Sequence, residues 1–288
     1  MRGVLISSCL FLGLSALPAA TVETVTSSTP FRLGAHNEPI VGVLINGQGP
    51  FPFILDTGST HSSIAASLSA ALNAPIVAKA TVTSSLGQEV QPVVSLATLA
   101  VGPASADELL ATQVQDDRLG NKSEVRGVLG QDVLGNLVYT LDFAARRIEW
   151  NPNLRGPVSH LSILKLRNTE GRFLAELPQT HTTLWLVPDS GAETLVLYER
   201  PNLQLPPLTK SSGQAFLTTL SDRRAVETVH VSRLVVGHTN LTDVPAVLVK
   251  HDAEDRWLGD GLLPSPSDST TVTPDRLGTC RTVSWTKG

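Results

Sequence analysis

Cysteine is almost missing from this 288-residue sequence, which holds only Cys9 and Cys280. Cys9 lies in an N-terminal apolar run, so its removal would leave one thiol and no internal disulfide. The mature fold must then rest on core packing. Basic runs are missing too: 22 Lys and Arg stand against 26 Asp and Glu, for a net charge of -4, with no dense cluster of either cation. That excludes the electrostatic footprint of a nucleic-acid binder. The seven His include no His-Glu-x-x-His and no tight cluster, which argues against zinc. No Gly-x-Ser-x-Gly places a serine nucleophile, and no glycine loop suits a phosphate. Helical periodicity of any length is nearly absent. What remains is 41% hydrophobic residues with 22 Gly and 19 Pro, the profile of a turn-rich globular β protein large enough for two lobes.

The chain opens on Met1-Arg2, an apolar stretch from 4 to 17, and Pro18-Ala19-Ala20. This order of charge, apolar segment and small residues predicts a secretory signal over 1–20 and an exported product, periplasmic or secreted. The run is shorter than the roughly 20 residues of a spanning helix, so no stable membrane insertion is expected after cleavage.

Beyond the leader, one pattern occurs twice. Residues 41–45, a Gly-rich turn and residues 51–55 read as strand, turn, strand, running into Asp56-Thr57-Gly58-Ser59. A hairpin with its tip at Ser84, Ser85, Leu86 and Gly87 follows, then a strand ending at Gly102 and the unit Gly127-Val128-Leu129-Gly130. In the second half, strands over 172–177 and 183–187 lead into Asp189-Ser190-Gly191-Ala192. A hairpin over 216–229, a strand ending at Gly237 and Gly261-Leu262-Leu263-Pro264 come after it. Offsets of 133, 135 and 134 residues separate Asp56 from Asp189, Gly102 from Gly237 and Gly127 from Gly261. A single Asp-x-Gly is ordinary turn chemistry, but the same series of signals at one offset indicates an internal duplication. The expected organisation is a first lobe over 30–150, a Pro/Asn-rich junction at 151–157, a second lobe over 158–275 and a polar tail over 276–288 that lacks a clear closing strand.

These motifs resemble the retropepsin-like and pepsin-like aspartic protease superfamily, and are similar above all to bacterial exported two-lobed members, over roughly residues 35–265. The resemblance implies an all-β, bilobal acid-protease fold of two duplicated β-barrel lobes, with Asp56 and Asp189 as catalytic residues on loops that meet at a pseudo-twofold axis. It implies that Thr57 and Ser190 hydrogen-bond across to the opposite loop, that Ser59 donates its hydroxyl to Asp56, and that the hairpin at Ser84 to Gly87 is a mobile flap. The flap tyrosine of pepsin-type enzymes is absent, since neither Tyr139 nor Tyr198 falls on that hairpin.

The chemistry of the residues agrees with that implication. Amide hydrolysis without a covalent intermediate needs one group to take a proton from water and another to give one to the carbonyl oxygen. Two carboxylates in contact do both, because like charges that close share one proton. Gly58 and Gly191 remove side chains where two backbones approach. The expected activity is an aspartic endopeptidase acting on peptides or proteins as a monomer, with neither metal nor cofactor. Two alternatives stay open: a catalytically silent peptide-binding relative, and a dimer in which each chain supplies Asp56. His61, the Asp222-Arg223-Arg224 cluster and the 252–256 charge cluster read as solvated loop residues. Pro188 before Asp189, and Pro264 where the first lobe has Gly130, depart from the pattern.

Overall fold

The computed structural model describes residues 27–119, 124–151, 162–251, 259–265, 270–273 and 282–285. The candidate leader, both cysteines, residues 152–157 of the junction and the 252–256 charge cluster lie outside the described residues. So do 276–281 and 286–288 of the expected tail.

The first lobe contains β1 (Ser27–Leu33), β2 (Pro39–Ile45), β3 (Gln48–Leu55), β4 (Ser63–Ala65), β5 (Ile76–Ser84), β6 (Gly87–Val101), β7 (Ala104–Val114), β8 (Gly127–Leu129), β9 (Tyr139–Asp142) and β10 (Arg147–Trp150). Its helices are short: α1 (Ala66–Ala71) and α2 (Gln131–Leu134). The β2–β3 hairpin is tighter than the sequence suggests, with Ile45 paired to Gln48. Asn46 and Gly47 take φ of 50° and 74°, and these two left-handed residues turn the chain in the twist-matched way that Asn-Gly favours. β2 alternates buried and exposed residues from Val41 to Ile45. Phe53, Leu55 and Leu129 are fully buried, each contributing about 1.5–3 kcal/mol, which stiffens the strands beneath Asp56.

The second lobe contains β11 (Ser162–Leu164), β12 (Leu166–Thr169), β13 (Arg172–Pro178), β14 (Thr183–Asp189), β15 (Leu195–Glu199), β16 (Leu208–Thr218), β17 (Arg223–Val236), β18 (Thr239–Lys250) and β19 (Gly261–Pro264). Strand order shows the duplication directly. The first lobe runs β1-β2-β3-β8-β4-β7-β6-β5, and the second β12-β13-β14-β19-β15-β18-β17-β16. The parallel pairs fall at matching places, β3 with β8 and β4 with β7, then β14 with β19 and β15 with β18. Phe53 opposite Gly127 corresponds to Leu186 opposite Gly261. This is the all-β, bilobal acid-protease fold.

The C-terminal region differs from its expected form. β20 (Thr270–Thr273) and β21 (Thr282–Trp285) join one sheet with β9 and β11, and β21 falls inside the segment expected to be a tail. Their sequence reads as polar, yet it is rich in Thr and Val, β-branched residues that favour strands. Strands from near the C-terminus thus continue the sheet that β10 and β1 link to the first lobe.

Candidate active site

Asp56 follows directly on β3 and its N–H donates to the Leu129 carbonyl at 3.0 Å. Asp189 ends β14 opposite Pro264. Each acid therefore leaves the end of a strand held by a parallel neighbour. Pro188 is tolerated because the register of β14 with β13 stops at Leu186, so on that side no ladder bond needs its missing N–H.

The two loops exchange hydroxyls. The Thr57 N–H donates to Ser190 Oγ and the Ser190 N–H to Thr57 Oγ1, both at 3.0 Å. Thr57 Oγ1 in turn donates to the Pro188 carbonyl at 2.8 Å, and Ser190 Oγ to the Leu55 carbonyl at 2.6 Å. Both hydroxyls are buried, each accepting one bond and donating one. Four buried bonds at roughly 1 kcal/mol net apiece tie the lobes together, and losing a partner would strand a buried group at about 1–3 kcal/mol. Gly58 and Gly191 sit where close approach demands them. A Cβ on Gly58 would stand 2.7 Å from Cγ of Asp189, and one on Gly191 3.2 Å from Cγ of Asp56.

The structure brings Asp56 and Asp189 into direct hydrogen-bond contact. Both keep some surface open to the cleft, while the protein around them removes most bulk water. Desolvation pushes both carboxyls up. Asp189 goes furthest, because the charge of Asp56 and the hydrogen bond between the two raise it again. Asp56 is held back by that same bond, by N–H donors from Gly58 at 2.8 Å and Ser59 at 3.1 Å, and by Arg172. The Gly191 N–H donates to Asp189 at 2.8 Å. Two carboxyls this close cannot both ionise freely, and the directions favour the charged form on Asp56 over Asp189.

Ser59 reaches Asp56 by its backbone, not its hydroxyl. Ser59 Oγ donates to the carbonyl of His61 at 2.8 Å, which corrects the expected side-chain contact. Such a local bond competes with any longer-range partner for the single hydroxyl proton. His61 pairs its ring Nδ1 with Thr60 at 2.9 Å.

The hairpin tip is docked rather than free. Ser84 pairs with Gly87 across a two-residue turn, and Leu86 is buried among Val196, Tyr198, Val226, Val247 and Val249 of the second lobe. Ser85 Oγ and the Tyr198 hydroxyl lie 2.7 Å apart, and Ser221 Oγ donates to Ser84 Oγ at 2.7 Å. Arg224 donates to the Leu86 carbonyl at 3.0 Å, so this member of the 222–224 cluster does more than face solvent.

Three contributors escaped the sequence reading. Gln131 Nε2 donates to the Thr57 carbonyl at 3.0 Å and to the Tyr139 hydroxyl at 3.1 Å, bracing the Asp56 loop from below. Tyr198 lies close enough to Asp189 and Arg172 to feel both charges, and burial pushes its phenol up to about 12. Arg172 begins the strand corresponding to β2, and pairing register was the one signal that could have found it.

Two lobes of one strand order, each ending the same strand in an aspartate at a shared centre, define an aspartic protease architecture. Residues 41–133 match the family model described as aspartyl protease, a segment that includes Asp56 and Gly127 to Gly130 and ends before the second lobe. Over that segment the chain is similar to the aspartyl protease family, and the acid-protease fold extends beyond it through the second lobe. No curated protein matches its sequence. Among solved structures, it is similar to a retropepsin-like aspartic protease from Rickettsia conorii at 10% identity and a TM-score of 0.32, covering 43% of this chain and 90% of that one. Conglutin gamma from lupine seeds aligns at 10% identity and a TM-score of 0.49, over 91% of this chain and 95% of that one. Basic 7S globulin from soybean aligns at 11% and 0.49, over 91% and 94%.

Proposed function

We propose that the chain is an aspartic endopeptidase in which a water held between Asp56 and Asp189 attacks the peptide carbonyl. Ionised Asp56 takes a proton from the water as its oxygen bonds to the carbonyl carbon, and Asp189 gives its proton to the carbonyl oxygen. The tetrahedral diol then collapses: the amide nitrogen takes the proton from Asp56, a diol hydroxyl returns its proton to Asp189 as the C=O bond re-forms, the C–N bond breaks, and the dyad is left with one proton and one charge. No covalent enzyme intermediate forms. The carrying observation is the contact between two desolvated carboxyls, both raised and Asp189 well above its ordinary range. That contact within one chain favours the single-chain dyad over a dimer of first lobes. The Ser84–Gly87 tip must lift from Tyr198 to admit an extended peptide. We further propose peptide or protein substrates, a monomeric state and an exported location.

The test is digestion of a mixed peptide pool between pH 3 and 7, read by mass spectrometry, with wild type and Asp189→Asn. Cleavage products present only with wild type support the reading. Products from both proteins contradict it, and none from either favours a silent binding relative.

A further inference from the structure

We propose that Arg172 is a fixed counter-cation of the Asp56–Asp189 pair, a positioning residue that sets the pH range over which the pair carries one negative charge. The inference rests on the dyad reading above and goes beyond it.

Register places Arg172. β13 and β14 run antiparallel, pairing Ala175 with Leu186 and Leu177 with Leu184, so β13 begins at Arg172 on the side where β14 ends at Asp189. The turn before it is tight: Glu170 and Gly171 take φ of 51° and 81° between the paired Thr169 and Arg172, and the Gly171 N–H donates to Asn168 Oδ1 at 2.9 Å. That turn rests beside the other catalytic loop, since a Cβ on Gly171 would meet Thr60 Cγ2 at 3.9 Å. Arg172 therefore starts between the two acid-bearing loops, partly buried, with its cation acting on Asp56, Asp189 and Tyr198.

The duplication supplies an internal control. In the first lobe the pairing of Ile40 with Ile54, carried two residues outward, puts Glu38 across from Asp56. Glu38 instead folds into its own turn and accepts the His36 N–H at 2.7 Å. One lobe thus turns an acid away from the centre while the other offers a guanidinium, which stays charged at any working pH. No duplicated fold requires that difference.

The other charged and titratable groups nearby are already engaged. Tyr198 on β15 is neutral in the acid range and meets Ser85. His251 lies against its ring at 4.7 Å. Arg200 is paired with Asp260 at 3.1 Å, and His36 with Glu193 at 3.0 Å. Asp132 accepts both the N–H and the hydroxyl of Ser62 at 2.7 Å.

A neighbouring cation favours both deprotonations of the dyad, so removing it raises both. An opposite charge close by shifts a carboxyl by roughly 1–3 units. The experiment is the pH profile of kcat/KM on one peptide for wild type, Arg172→Gln and Arg172→Lys. Arg172→Gln should move both limbs upward by about one pH unit, while Arg172→Lys, which keeps the charge, stays near wild type. A second readout needs no turnover. The Tm deficit of Arg172→Gln against wild type should widen as pH rises from about 4 to 7, because the folded dyad then ionises without its cation. Unmoved limbs with a deficit equal at every pH would overturn the proposal, as would a Lys variant displaced as far as Gln. If wild type cleaves nothing, the protease reading fails alone and the Tm profile still decides the role of Arg172.

Discussion

The carboxyl of Asp189 lies directly above Gly58, so closely that a methyl group there would stand 2.7 Å from its Cγ and 2.8 Å from Oδ2. The reciprocal space over Gly191 is looser, at 3.2 Å from Cγ of Asp56. Gly58→Ala should therefore displace Asp189 and lower kcat by on the order of 100-fold. Gly191→Ala needs a shift of only a few tenths of an ångström and should cost about tenfold or less. Steady-state kinetics on the two variants checks the order, and a larger loss in Gly191→Ala would contradict it.

Ser59 gives a sharper test of the hydrogen bonding. Its hydroxyl is committed to His61 and only its N–H reaches Asp56. Ser59→Ala keeps that N–H, so the acidic limb of kcat/KM should stay within about 0.2 pH unit of wild type. A clear upward move of the limb would mean that the hydroxyl turns to Asp56 during catalysis.

The dyad was legible in the sequence because a duplication repeats its signals at one offset: an apolar strand, Asp-x-Gly, and a Gly-Val-Leu or Gly-Leu-Leu strand that pairs beneath. The cross-lobe roles of Thr57 and Ser190 came with the family resemblance, and the structure gives their geometry. Arg172 was not legible, since its place depends on a turn at Glu170-Gly171 and on register, neither of which a spacing in sequence states. The docking of Leu86 was not legible for the same reason. Small neighbours suggest a mobile tip, and the partners that hold it here, Val226 and Val247, lie 140 or more residues away in sequence. The Ser59 hydroxyl had a local acceptor two residues on that composition alone could not rank above the aspartate.

Stability should register the dyad as well. Burial and the charge of Asp56 hold Asp189 well above its ordinary range, so the folded state binds this proton more tightly than the unfolded chain does. The contribution is fully present below the unfolded value of about 3.9 and is lost as pH rises toward the folded one. Asp189→Asn removes that loss. Its Tm, compared with wild type, should rise between pH 4 and pH 7 by about 2–4 °C for each kcal/mol relieved. Thermal unfolding followed by circular dichroism at the two pH values checks it, and a difference that does not change with pH would contradict it.

The central claim, that Asp56 and Asp189 act as one catalytic unit in a single chain, is tested most directly by kcat/KM on one peptide for wild type, Asp56→Asn, Asp189→Asn and the double variant. Each single variant should lose on the order of 10,000-fold or more, with the double variant no worse than either, as for residues that work as a unit. Substantial cleavage by Asp189→Asn, or losses that multiply in the double variant, would contradict the shared dyad.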